Sequence, residues 1–178
     1  MVPAHRRAPV GGEVHGICAC NRVFDTKNHD AIMVINVGDI DPANGAQHRA
    51  MAGNRTSGDI KLYPGAVPGD GHAWQFLPVG DGKIMIVNLG DPNAGPNLYL
   101  AGNRANGEIR LYPGPVPGNG HLWRVYDAGS GNITIENVGD IDPANGAKYR
   151  FMAGNRASGE IHLYPGSVPG NGHLWHTQ

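Results

Sequence analysis

A 23-residue string is written three times along the chain. It reads AGNRTSGDIKLYPGAVPGDGHAW from Ala52 to Trp74, AGNRANGEIRLYPGPVPGNGHLW from Ala101 to Trp123, and AGNRASGEIHLYPGSVPGNGHLW from Ala153 to Trp175. Repetition at a period near fifty residues restricts a chain to architectures in which equivalent units complete one another's core. The three tryptophans stand 49 and 52 residues apart, and Asn54/Asn103/Asn155 and Tyr63/Tyr112/Tyr164 keep the same two spacings. Upstream, INVGDIDPANGA (Ile35–Ala46) matches ENVGDIDPANGA (Glu136–Ala147), while the middle copy, VNLGDPNAGP (Val87–Pro96), belongs to a shorter repeat. Three repeats follow, Arg22–Trp74, Gln75–Trp123 and Arg124–Trp175. Residues 1–14 have the composition of a tail, so residues 15–178 are expected to form one domain.

The periodicity inside a repeat is that of strands. RVYDAGSGNITIENVG (Arg124–Gly139) gives two runs flanking a Gly-Ser-Gly turn, as a hairpin does. A third run, KYRFMA, ends at Gly154, and a fourth, EIHLY, alternates Ile161 and Leu163 against Glu160, His162 and Tyr164. No segment offers ten residues of helical period, and 28 glycines and 14 prolines favour frequent turns. Four strands per repeat give twelve strands under approximate threefold symmetry. Propellers use four or more blades, so a closed barrel or a prism suits three repeats better, and closure removes exposed edges. CNRVFD (Cys20–Asp25) corresponds to LWRVYD around Trp123, so this opening strand is expected beside the C-terminal HLWHTQ.

Recurrent residues fall into two classes. Ile60/Leu62/Trp74, Ile109/Leu111/Trp123 and Ile161/Leu163/Trp175 are apolar and in phase, and they read as core. The polar recurrences are Asn54, Asp59, Tyr63, Asp70 and His72; Asn103, Glu108, Tyr112, Asn119 and His121; and Asn155, Glu160, Tyr164, Asn171 and His173. Carboxylates and amides bond sugar hydroxyls, and a tyrosine ring covers the apolar face of a pyranose, so these fifteen are the candidate saccharide-binding residues. Packing offers a rival account of some of them. An Asn after Gly suits an Asx turn or the left-handed region, and a His before the strand can bond loop backbone. Arg55, Arg104 and Arg156 can pair with the acids four residues on, at the surface and with little energetic effect.

A Trp closing each of three four-strand repeats resembles the β-trefoil of ricin B-type lectins. That family ends its repeats in Q-x-W; here the triplets are His72-Ala73-Trp74, His121-Leu122-Trp123 and His173-Leu174-Trp175. The run IHLYPG (Ile161–Gly166) resembles the family's I-Q-L-W strand, and the resemblance covers Arg22 to the C-terminus. It implies an all-β, β-trefoil domain acting as a lectin or agglutinin, with Tyr63, Tyr112 and Tyr164 at the positions of the stacking aromatic. Two departures prevent any transfer of sugar preference. The columns of the family's sugar-binding Asp hold Met51/Leu100/Met152 and Ala52/Ala101/Ala153. Its Asn before Q-x-W is Gly71/Gly120/Gly172, with Asp70/Asn119/Asn171 one residue earlier.

Other chemistry finds less support. GDIDPANGA places Asp39, Asp41 and Asn44, and Asp140, Asp142 and Asn145, like part of a calcium loop, but Ala50 and Phe151 fall where the bidentate Glu belongs. Asp-Pro and Asn-Gly are turn formers, and a structural loop is expected. Cys18 and Cys20 would lie ~6.5–7 Å apart in a strand, near the limit for a disulfide, which favours free thiols, and with no apolar leader a cytoplasmic location is expected. A net charge of −1 gives no footprint for nucleic acid, and no run of ~20 apolar residues would enter a membrane. No nucleophile or carboxylate pair stands apart from the repeats, so neither an enzyme nor a cofactor is expected. The partners expected are glycans or glycoproteins, with a homodimer left open. The competing reading is a β-trefoil protease inhibitor working through the single loop FDTKNHDA (Phe24–Ala31). A purely structural module is a third option.

Overall fold

The computed structural model describes residues 30–38, 48–139 and 148–178. The run Cys20–Asp25, the two cysteines, most of FDTKNHDA and the acidic part of both GDIDPANGA segments lie outside the described residues. Twelve strands make up the described chain. They are β1 (Val34–Asn36), β2 (Ala50–Gly53), β3 (Ile60–Tyr63), β4 (Trp74–Gly80), β5 (Lys83–Asn88), β6 (Tyr99–Gly102), β7 (Ile109–Tyr112), β8 (Trp123–Gly129), β9 (Asn132–Asn137), β10 (Phe151–Gly154), β11 (Ile161–Tyr164) and β12 (Trp175–Thr177). All pairings are antiparallel, and among the described residues the only helical elements are three single 3-10 turns.

Six strands close into a ring. β4 pairs with β5 and β8 with β9 as hairpins, turned at Asp81-Gly82 and Ser130-Gly131, where all four residues take positive φ. β5 joins β8 at Ile84↔Trp123, β9 joins β12 at Ile133↔Trp175, and Ile32, just before β1, bridges Trp74. These three junctions are equivalent, one per repeat. β1 pairs with β12 through Asn36↔Trp175, in the register that puts Trp74 opposite Asn88 and Trp123 opposite Asn137. The C-terminal strand thus sits beside β1.

Three hairpins hang from this ring: β2–β3 on β1, β6–β7 on β5 and β10–β11 on β9. They are tied to one another in a cycle by Leu62 N–H to Gly159 O, Leu111 N–H to Gly58 O and Leu163 N–H to Gly107 O, at 2.7, 2.7 and 2.8 Å. The alternation of IKLY, IRLY and IHLY drives one face of each hairpin inward, so Ile60/Leu62, Ile109/Leu111 and Ile161/Leu163 join the core. Above them lie Met51/Leu100/Met152, Val34/Ile86/Ile135 and the three tryptophans, all fully buried. Each indole N–H donates to a carbonyl, of Met51, Leu100 and Met152, at 2.8, 2.9 and 3.0 Å. A buried tryptophan contributes its large apolar area without leaving a donor unsatisfied.

Candidate functional site

The same chain segments that cap the barrel build three open clefts, with volumes of about 660, 800 and 810 Å³ in the third, second and first repeats. In the first repeat, β2 ends at Gly53 and the chain turns through Asn54. The Asn54 Oδ1 accepts from the backbone N–H of Thr56 and Ser57 at 2.9 and 3.1 Å, an Asx turn that fixes one side of the cleft. β3 leads to Tyr63, whose ring is on the outward phase, and Pro64-Gly65 turns the chain back along the opposite side. Gly69 at φ 72° and Asp70 at φ 54° then reverse the backbone in the left-handed region that Gly, Asp and Asn tolerate best. Gly71 packs so closely that a Cβ there would lie 2.6 Å from Gly53 O.

The far wall comes from the next repeat. Gly90, Asp91 and Ala94 complete the first cleft, Gly139 belongs to the second, and Gly38 belongs to the third. Each cleft therefore spans a repeat boundary. Arginine fastens that boundary: Nη1 of Arg55, Arg104 and Arg156 donates to the carbonyls of Gly90, Gly139 and Gly38 at 2.8, 2.8 and 2.6 Å. The expected pairs with Asp59, Glu108 and Glu160 do not form. Each guanidinium instead crosses to the neighbouring repeat and bonds a part-buried carbonyl, where an exposed ion pair with the acid would contribute little.

Beneath the wall lies a second recurrence whose role sequence reading did not assign. Asn36, Asn88 and Asn137 are buried to within 1% of complete. Their Nδ2 groups donate to the carbonyls of Gly172, Gly71 and Gly120 at 2.7, 2.7 and 2.6 Å. Their Oδ1 atoms accept from the N–H of Gly38, Gly90 and Gly139 at 3.0, 3.1 and 3.1 Å. One side chain thus ties the tight glycine turn of one repeat to the wall of the same cleft. The signal was present in INVGD, VNLGD and ENVGD, an Asn on the inward phase of three apolar strands.

The candidate residues divide by position. Tyr63, Tyr112 and Tyr164 line the clefts with 39%, 38% and 36% of their surface exposed, and Asn54, Asn103 and Asn155 line them too. Asp59, Glu108 and Glu160 sit at the opposite end of the fourth strand from the tyrosine and are not part of the lining. Asp59 lies 3.4 Å and Glu108 3.8 Å from Arg110, in the space between neighbouring hairpins. Asp70, Asn119 and Asn171 hold the positive φ of the 3-10 turn, and their carbonyls accept from Ala73, Leu122 and Leu174 at 2.8, 2.9 and 2.9 Å. His72, His121 and His173 turn Nδ1 to the N–H of Val67, Val116 and Val168 at 3.2, 3.2 and 3.3 Å, bracing the loop behind the cleft. An accepting Nδ1 leaves the ring proton on Nε2 in the neutral imidazole. No cluster of metal-ligating side chains occurs among the described residues.

No family model and no curated protein matches the sequence. Among solved structures, the fold is similar to that of SeviL bound to asialo-GM1 saccharide. The TM-score is 0.55 over 85% of this chain and 98% of that one, at 14% identity. The likeness is one of fold, and it spans nearly the whole of the other protein.

Proposed function

We propose that the chain is a carbohydrate-binding β-trefoil lectin with one saccharide site in each of its three clefts. The observation that carries this reading is the part-exposed tyrosine repeated at the mouth of every cleft. An aromatic ring held between a Pro-Gly turn and an open groove offers a flat apolar face with a polar rim, the surface that a pyranose complements. Asn54, Asn103 and Asn155 supply amide N–H donors beside it, their oxygens already engaged in the turn. A saccharide on a protein of similar fold supports the same reading. Asp59 and Glu108 meet Arg110 outside the clefts, and the histidines brace the loops behind them.

Shallow open sites bind single sugars weakly, and three of them on one rigid body gain by engaging several glycans at once. A protease inhibitor acting through one loop leaves this threefold rim unexplained. Glycan-array binding followed by calorimetry with the glycans that respond tests the proposal. Binding is expected, and it is expected to vanish in the Tyr63→Ala/Tyr112→Ala/Tyr164→Ala protein with its thermal stability retained. A folded wild-type chain that binds no saccharide, or a triple variant that binds as well as wild type, refutes it.

A further inference from the structure

We propose that Asp91 is the hydroxyl acceptor of the first cleft, supplied to Tyr63 by the repeat that follows. This inference rests on the saccharide reading above. A tyrosine face holds a sugar ring but does not orient it; orientation requires a fixed group that accepts a hydroxyl proton. The polar side chains around the first cleft are mostly committed elsewhere. The Asn54 oxygen is spent on two backbone N–H groups, the Thr56 hydroxyl donates to Ala94 O, and Arg55 can only donate. Asp91 is the remaining strong acceptor of the lining. Its Oδ1 accepts from Asn93 N–H at 2.8 Å, and its second oxygen has no partner among the described residues.

The carboxylate is also held in place. Asp91 N–H donates to Gly69 O at 2.8 Å, which ties it to the opposite loop of the cleft. Gly90, immediately before it, is clamped at both ends: its N–H by the buried Asn88 and its carbonyl by Arg55. A Cβ at Gly69 would lie 3.9 Å from that of Asp91, in ordinary van der Waals contact, so the acid's own Cβ packs close to the backbone of the opposite loop. Further along, Asn97 Nδ2 donates to the carbonyls of Arg55 and Thr56 at 2.9 and 3.2 Å, anchoring the other end of the loop.

A turn-capping role alone does not account for this acid. In the middle copy, Asp91 both follows the wall glycine and precedes a proline. The other two copies separate these positions, with Asp39 and Asp140 after the glycine and Asp41 and Asp142 before the proline. If only the Asp-Pro turn mattered, the glycine-adjacent acid could be lost where a second Asp precedes the proline. It is retained in all three.

The test uses the Tyr112→Ala/Tyr164→Ala protein, in which only the first cleft keeps its ring. The probes are the asialo-GM1 saccharide, the methyl glycosides of galactose, N-acetylgalactosamine, glucose, mannose and fucose, and any glycan that the array returns, each titrated by NMR. Asp91→Asn keeps an oxygen for the Asn93 N–H but replaces the free acceptor with a donor. Affinity is expected to fall about tenfold or more, with the melting temperature unchanged. Asp91→Ala is expected to lose affinity as far and to melt earlier, because the turn cap goes as well. Undiminished binding by Asp91→Asn overturns the proposal and leaves the lectin reading standing. So does a first-cleft protein that binds nothing while wild type binds. A wild-type chain that binds no saccharide at all removes the lectin reading itself, and this inference with it.

Discussion

Every repeat carries two recurrent asparagines, and the floor of the cleft treats its copy very differently from the rim. On the floor, Asn36, Asn88 and Asn137 are sealed from water and both ends of the amide are bonded to backbone. On the rim, Asn54, Asn103 and Asn155 are exposed, and only the oxygen is used, within a local turn. In sequence the two sets recur with equal fidelity. What separates them is burial: a buried amide that loses a partner leaves orphaned polar groups, whereas an exposed one returns its partners to water.

The largest test of that contrast is Asn137→Ala. It strips the acceptor from Gly139 N–H and the donor from Gly120 O, both buried, and opens a void beneath the second cleft. The expected cost is about 3 kcal/mol, or a fall in Tm of roughly 6–12 °C for a chain of this size. Asn103→Ala, on the rim above, is expected to cost about 1 kcal/mol or less. Thermal unfolding of the two variants measures the difference, and equal losses would break the distinction between floor and rim.

Glycines sharpen the same contrast at smaller scale. At Gly120 a Cβ would lie 2.7 Å from Gly102 O and 3.2 Å from Val116 Cγ2, although its φ of −59° suits any residue. Gly120→Ala is therefore a pure packing insult, expected to cost about 1–3 kcal/mol in denaturant unfolding. Gly114, on the rim of the same cleft, has nothing within 4 Å of an added Cβ. Gly114→Ala is expected to alter stability by less than about 0.5 kcal/mol. Between these falls Arg104→Ala, which releases Gly139 O across the repeat boundary and is expected to cost about 1–2 kcal/mol.

How far the sequence reveals this molecule depends on whether the relevant contact lies within a repeat or across two. Ile161, Leu163 and Trp175 were legible as core because strand alternation is a local pattern that burial enforces. The outward tyrosines were legible for the same reason. The clefts were only half legible, because their far walls at Gly90, Gly139 and Gly38 belong to the following repeat, and aligning repeats compares equivalent positions without bringing neighbours together. Sequence spacing points Arg55 to Asp59, four residues on, whereas its partner in the fold, Gly90 O, is 35 residues away. Asn88 is harder to place, because a polar residue on the inward phase of a strand gives no sign of which backbone groups it will satisfy. His72 braces a loop and Asp70 takes a positive φ, backbone roles that residue type alone does not distinguish from ligand contact.

The smallest expected effect concerns a polar cluster that the repeats do not share. On the outer wall of the third repeat, Tyr126 donates its hydroxyl to Glu136 Oε2 at 2.6 Å, and Arg150 lies 3.4 Å from the other carboxylate oxygen. The equivalent positions of the second repeat are Leu77, Val87 and Leu98. Partial burial, then the hydrogen bond to Glu136 and its negative charge, raise the Tyr126 hydroxyl above the ordinary tyrosine range. Because the folded state holds this proton more tightly than the unfolded chain, the contribution is complete below the ordinary tyrosine pKa of about 10 and is lost as pH rises through the raised value. Tyr126→Phe should thus melt slightly below wild type at neutral pH, and the gap should close above about pH 10. Melting curves of both proteins between pH 7 and 11 would show it, and a gap that widens with pH would reverse the assignment. On the saccharide reading proposed above, binding should be identical in the two proteins, because Tyr126 lines none of the three clefts.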